Sequence, residues 1–158
     1  MGYNFKGQFE VTLDEKGRIS LPAALRKILS EAELTIKPCD YEKEKCLWLF
    51  PTTVYNEMSA KYNKNTDILS EKDRAFRRRF FNSKDVEIDK AGRIPIPQNY
   101  REEAGLTKDC LVIGAWDYIE IWDKETYRKY YSESKDDFVS ASEEIANKLK
   151  NGKGGNQE

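Results

Sequence analysis

Histidine is absent from the 158 residues. The side chain that most often serves as general base and as metal ligand is therefore missing, which removes His-dependent triads and His-ligated metal sites from the functions open to this chain. Cysteine is scarce. Cys39, Cys46 and Cys110 make an odd number, and no two of them have the C-x-x-C spacing. A zinc ribbon and a thioredoxin-type motif are excluded, and the three read as free thiols of a reducing compartment. Glycine (9) and proline (5) are few, and no Gly-rich phosphate loop occurs. No run of apolar residues is long enough to span a bilayer, and Met1 to Glu10 lacks the apolar core of a signal peptide, so neither a membrane span nor a leader is expected. Net charge is also nearly missing, at −1 with a pI of about 5.8. Taken alone, that balance speaks against a nucleic-acid binder, whose domain pI is usually above about 9.

The composition that remains is globular. Apolar residues make 39% and charged residues 35%, with 3 Trp, 9 Tyr and 7 Phe available for a core or a subunit interface. A chain of this length buries roughly 68–70% of its unfolded surface and needs no disulfide or metal staple. The small net charge hides segregation. Arg74, Arg77, Arg78, Arg79 and Lys84 fall together with no acid among them, whereas Glu133, Asp136, Asp137, Glu143 and Glu144 face Lys135 alone. A basic face can therefore coexist with a neutral total.

The strongest feature is a repetition. Asp14-Glu15-Lys16-Gly17-Arg18-Ile19-Ser20-Leu21-Pro22 returns as Asp89-Lys90-Ala91-Gly92-Arg93-Ile94-Pro95-Ile96-Pro97, an offset of 75 (89 − 14). An arginine sits four residues past each second proline, at Arg26 and Arg101. Val11 and Leu13 match Val86 and Ile88, while Leu47, Leu49 and Tyr55 match Ile119, Ile121 and Tyr127. A repeat of this kind is one supersecondary unit used twice.

Each unit reads as strand, turn, strand, helix, strand, strand, helix. Phe9, Val11 and Leu13 alternate with polar residues as a half-buried strand does. Asp14 to Gly17 is a turn: Asp bonds the backbone two residues on, and Gly tolerates positive φ. Pro22 fits the first helical position, ahead of the apolar stripe Leu25, Ile28, Leu29 and Ala32. A helix is predicted from Pro51 to about Tyr62, burying Tyr55, Met58 and Tyr62, and another after a Ser70 cap with Phe76 and Phe80 inward. In the second copy Pro97 opens a short helix ending at Gly105, and Asp123 caps a helix to about Ser132. A further helix falls near Ser140 to Leu149, and residues 151–158 read as a disordered tail. The expected organisation is repeat one at 7–54, linking helices at 55–82, repeat two at 83–126, a helical region at 127–150 and the tail. Neither copy has strands enough to close a sheet, so the fold class expected is mixed β/α, with the two copies closing a small barrel between them.

The doubled Asp-x-x-Gly-Arg element, with its arginine four residues past each proline, resembles the MraZ family of bacterial transcriptional regulators. The two halves resemble the DNA-binding domain shared by AbrB and SpoVT. The likeness covers roughly Gly7 to Val54 and Ser83 to Thr126. It implies a swapped-hairpin-type β-barrel, assembly into a homo-oligomeric ring, and binding to short direct repeats in double-stranded promoter DNA. In the family that promoter drives the division and cell-wall gene cluster, including the regulator's own gene. No enzymatic activity, cofactor, metal, small-molecule substrate or membrane is expected, and the expected location is cytoplasmic and nucleoid-associated.

The candidate DNA-binding residues are Arg18, Arg93, Gly17, Gly92, Lys16, Lys90 and Lys6. Arginine suits bidentate contact with guanine and with phosphate, lysine suits phosphate, and glycine lets a phosphate approach backbone N–H groups. Two readings stay open for Arg18 and Arg93: groove contact, or a turn ion pair with Asp14 and Asp89. Asp14, Asp89, Pro22 and Pro97 read as structural. A catalytic role for the Asp pair would need a nucleophile or proton shuttle beside it. Arg74, Arg77 and Arg78 share one face of a helix opposite Phe76 and Phe80, either as a solvated or subunit-facing surface or as phosphate ligands. Besides a DNA-binding regulator, the chain could be a non-enzymatic oligomeric adaptor.

Overall fold

A computed structural model describes residues 2–39 and 41–152. The first unit runs β1 (Gln8–Thr12), β2 (Arg18–Ser20), α1 (Ala23–Leu29), β3 (Leu34–Pro38), β4 (Leu47–Pro51) and α2 (Thr52–Lys64). α3 (Glu71–Phe80) links it to the second, which runs β5 (Lys84–Val86), β6 (Arg93–Pro95), α4 (Gln98–Glu103), β7 (Asp109–Gly114), β8 (Ile119–Asp123) and α5 (Lys124–Glu133). α6 (Lys135–Gly152) follows.

The local signals act where the side chains place them. Ser70 Oγ accepts from the Asp73 N–H at 3.2 Å and starts α3. Asp123 does the same for α5 through the Thr126 N–H at 3.2 Å. α4 ends in a paired 6→1 and 5→2 closure: Leu106 N–H reaches Arg101 C=O at 2.9 Å and Gly105 N–H reaches Glu102 C=O at 3.1 Å, with Gly105 at φ +62°. Pro22 and Pro97 stand one residue before the helices rather than at their first positions. Their carbonyls accept from Arg26 at 3.0 Å and Arg101 at 2.9 Å, so each proline serves as the cap. α1 stops at Ser30, φ +55°, which leaves Ala32 outside the helix. The C-terminal helix starts earlier than its apolar pattern suggests and takes in Asn151 and Gly152; the remainder of the expected tail lies outside the described residues.

The strands are exchanged between the units. One six-stranded antiparallel sheet has the order β1-β7-β8-β4-β3-β5. β1 of the first unit therefore pairs with β7 of the second, Val11 opposite Cys110, and β5 of the second pairs with β3 of the first, Val86 opposite Leu34. β2 and β6 leave this sheet and pair with each other, Ile19 opposite Ile94. The backbone pairing is thus a six-stranded sheet and a separate two-stranded ribbon. The ribbon stops at Pro22 and Pro97, whose nitrogens carry no hydrogen with which to extend a ladder.

The core lies between ribbon and sheet. Ile19, Ile94, Leu25, Ile36, Leu47, Leu49, Val112, Ile119 and Ile121 are fully buried in one cluster. Fully burying each such side chain contributes about 1.5–3 kcal/mol. The other face of β3 and β4 carries Lys37, Trp48 and Phe50, which meet Tyr55 and Phe80 of α2 and α3. Tyr62 is more exposed than expected, yet its ring packs at a tilt against Phe76 and Phe80 and ties the two helices together.

Candidate nucleic-acid interface

Each Asp-x-x-Gly-Arg turn is closed by its own residues. In the first, Asp14 Oδ1 accepts from the Lys16 and Arg18 N–H groups, both at 2.9 Å, and Oδ2 accepts from Arg18 Nε at 2.8 Å. In the second, Asp89 Oδ1 accepts from Ala91 at 2.8 Å and Arg93 at 3.0 Å, and Oδ2 from Arg93 Nε at 3.2 Å. The backbone N–H of the arginine, followed by the other donors, holds each carboxyl below its ordinary value of 3.8. Gly17 and Gly92 sit at φ +78° and +81°, are buried, and donate their N–H groups to the Asp14 and Asp89 carbonyls at 3.0 Å.

The register of the ribbon decides where the arginines point. Arg18 lies opposite Pro95 and Arg93 opposite Ser20, while Ile19 and Ile94 turn into the core. Directly opposed residues share a face, so Arg18, Ser20, Arg93 and Pro95 line the outer side together. Arg18 and Arg93 form a diagonal pair, which on such a ribbon is about 7–8 Å apart. The two copies of the motif thus build one continuous surface. Each guanidinium is ion-paired and partly exposed, 26% for Arg18 and 35% for Arg93, so its Nη groups stay available to a ligand. Lys16 and Lys90 are exposed at the two turns.

Arg26 and Arg101 carry a role that the sequence marked only by repetition. The Arg101 side chain of α4 lies over Gly17, and that of Arg26 of α1 lies over Gly92, each arginine reaching the turn of the other unit. A Cβ on either glycine would collide with the guanidinium. Arg101 Nη1 also donates to the Ile96 carbonyl. Among the described residues, Arg26 Nε is buried without a hydrogen-bond partner. The signal that could have found these contacts was the matched spacing of the two arginines after the two prolines.

Other candidates are not brought to this surface. Lys6 lies at the far end of β1, beside the Phe5–Trp116 bridge. Arg74 donates to Ile68 C=O at 3.0 Å, and Arg77 to Asn63 Oδ1 at 3.0 Å and Thr66 Oγ1 at 2.7 Å while lying 5.2 Å from the Phe81 ring. These two hold the α2–α3 loop; Arg78 is exposed. All three belong to the helical layer on the opposite face of β3 and β4 from the ribbon. Among the described residues no group of three His, Cys, Asp or Glu side chains could hold a metal, and no helix is long and apolar enough to cross a membrane.

The profile of the MraZ protein family, whose description adds antitoxin-like, matches the chain twice, over residues 4–79 and 80–149, once around each Gly-Arg turn. The chain belongs to the MraZ family. MraZ relatives extend over nearly its whole length. The protein called transcriptional regulator MraZ in Treponema pallidum (strain Nichols) is 39% identical over 142 residues, 89% of this chain and 93% of that one. Its namesake in Treponema denticola is 39% identical over 140 residues, 88% and 95% respectively. Among solved structures, the solution structure of PHS018 from Pyrococcus horikoshii covers 75% of this chain and 88% of its own at 15% identity, but a TM-score of 0.33 gives that likeness no weight.

Proposed function

We propose that the chain is a sequence-specific DNA-binding transcriptional regulator that uses the outer face of the β2–β6 ribbon as its reading surface. The observation that carries this reading is the pair of Asp-braced arginines placed on one exposed face by the duplication. Bracing holds each guanidinium in a set direction with two Nη donors free, the geometry that bidentate contact with guanine requires. Lys16 and Lys90 supply phosphate contacts that position the ribbon. The names of the Treponema relatives, transcriptional regulators, agree with this assignment.

The units at 7–54 and 83–126 act as one reading head, joined by the helices at 55–82. The ribbon spans from β1 to β5 and completes a swapped-hairpin barrel; the support is that each strand runs directly through its Gly turn into the ribbon. A homo-oligomer, as a ring, multiplies the heads. α6 supports it: all 18 residues are exposed, Phe138, Ile145 and Leu149 mark one apolar stripe, and Asp136, Asp137, Glu143 and Glu144 offer charge complementary to α3. Linking heads in this way raises avidity by roughly 10²–10⁴ on repeated boxes. The expected target is direct repeats upstream of the chain's own gene and the division and cell-wall cluster, bound as a repressor in the cytoplasm at the nucleoid. No catalytic step and no cofactor is needed.

The test is retardation of that upstream DNA. Arg18→Ala with Arg93→Ala should abolish the shift while light scattering finds the same particle mass as the unaltered chain. Retained specific binding would refute the ribbon assignment. The log–log salt dependence of the unaltered chain should fall with a slope of about −0.9 per phosphate contacted. A second reading, an oligomeric adaptor, draws on the ion pairing of both arginines and the net charge of −1. It is preferred if the purified chain fails to retard its upstream DNA at low salt.

A further inference from the structure

The β3–β4 hairpin ends in two cysteines. Cys39 N–H donates to the Cys46 carbonyl at 2.9 Å, which extends the ladder one pair beyond Pro38 opposite Leu47. Facing residues of antiparallel strands have Cα atoms about 4.5–5.5 Å apart. That separation lies inside the window of roughly 4.4–6.8 Å that a disulfide spans. Both thiols are free and stand on facing residues of the hairpin. Their surroundings differ. Cys39 is half-buried and opens on a recess of about 170 Å³ whose walls include Tyr41, Lys45, Arg79 and Glu103. Cys46 is buried. The hydrogen bond from Cys46 holds the Cys39 thiol below its ordinary value and pushes its own upward. The third thiol cannot take part: Cys110 is buried on the core face of β7 and donates to Thr107 C=O at 3.4 Å. The corresponding hairpin of the second unit has Ala115 and Tyr118 at these positions, so the feature belongs to the first unit alone.

We propose that Cys39 and Cys46 form a thiol–disulfide exchange site, with Cys39 as the attacking sulfur and Cys46 as the resolving one, taking low-molecular-weight disulfides as substrate. The Cys39 thiolate attacks one sulfur of the small disulfide. The reagent's S–S bond breaks and its first thiolate leaves, taking up a proton from solvent. A mixed disulfide remains on Cys39, facing the recess. Cys46 then gives up its proton, and its sulfur attacks Cys39 Sγ and expels the second small thiol, which carries that proton away. One small disulfide is reduced to two thiols, and two protein thiols are oxidised to a disulfide that staples the turn. The order of attack follows from access, since only Cys39 meets solvent.

The test uses the full chain and glutathione disulfide. After incubation and removal of reagent, the intact mass should fall by two hydrogens, and iodoacetamide added in denaturant should label one cysteine, which peptide mapping identifies as Cys110. Cys46→Ser should stop at a glutathione adduct on Cys39. Cys39→Ser should acquire no adduct while folded, which circular dichroism verifies. Three labelled cysteines after treatment of the unaltered chain, a bridge that includes Cys110, or a Cys46→Ser chain without the adduct would each overturn the proposal.

Discussion

Replacing Gly17 by alanine is expected to destabilise the fold by about 2–4 kcal/mol, and the figure follows from two separate causes. The first is backbone strain: at φ +78° an L-residue with a Cβ costs about 1–2 kcal/mol. The second is eviction. The new methyl would occupy the space of the Arg101 guanidinium, which must swing away and give up its bond to the Ile96 carbonyl. A half-exposed charged hydrogen bond of that kind contributes about 1–2 kcal/mol. Arg101→Ala alone removes the second contribution without the first, and costs about 1–2 kcal/mol. The double variant has no guanidinium left to evict, so it should be no less stable than Gly17→Ala alone. Urea unfolding of the four chains measures the coupling, expected at about 1–2 kcal/mol in favour of the double variant over the sum of singles. Additivity within about 0.5 kcal/mol would refute the claim that α4 braces the opposite unit's turn. Gly92 and Arg26 form the matching pair, and their cycle should give the same sign.

The remaining predictions concern the core, the turns and a cap. Ile94→Ala, at the centre of the ribbon and fully buried, should cost about 2–5 kcal/mol in urea melts, whereas the exposed Ser20→Ala beside it should change little. Asp14 and Asp89 have lower pKa values folded than unfolded, so the stability they contribute is complete above the ordinary value of 3.8 and is lost as pH falls through the depressed ones. A chain with Asp14→Asn and Asp89→Asn should therefore lose less stability on acidification below about pH 4 than the unaltered chain; parallel curves would contradict the turn hydrogen bonds. Asp123→Ala should cost about 1–2 kcal/mol by thermal melting, because it removes the α5 cap together with the acceptor of the Thr107 N–H.

What could be read from the chain alone is what neighbours in sequence decide. The two Asp-x-x-Gly-Arg turns, the Ser70 and Asp123 caps, the Gly105 helix end and the alternation of β1 all depend on side chains a few residues apart, and all are present at those positions. The duplication was legible too, and with it the family. The partners of the strands were not, because a three-residue strand such as Arg18–Ser20 carries no mark of which strand it will meet. Packing decided that β2 joins β6 across the duplication, since only there do Ile19 and Ile94 both reach the core. The same choice turned two separate arginines into one surface and set Arg26 and Arg101 over glycines of the opposite unit. Those contacts join residues about a whole repeat apart. Their energy exists only once both units are folded together, and so only the tertiary structure could place them.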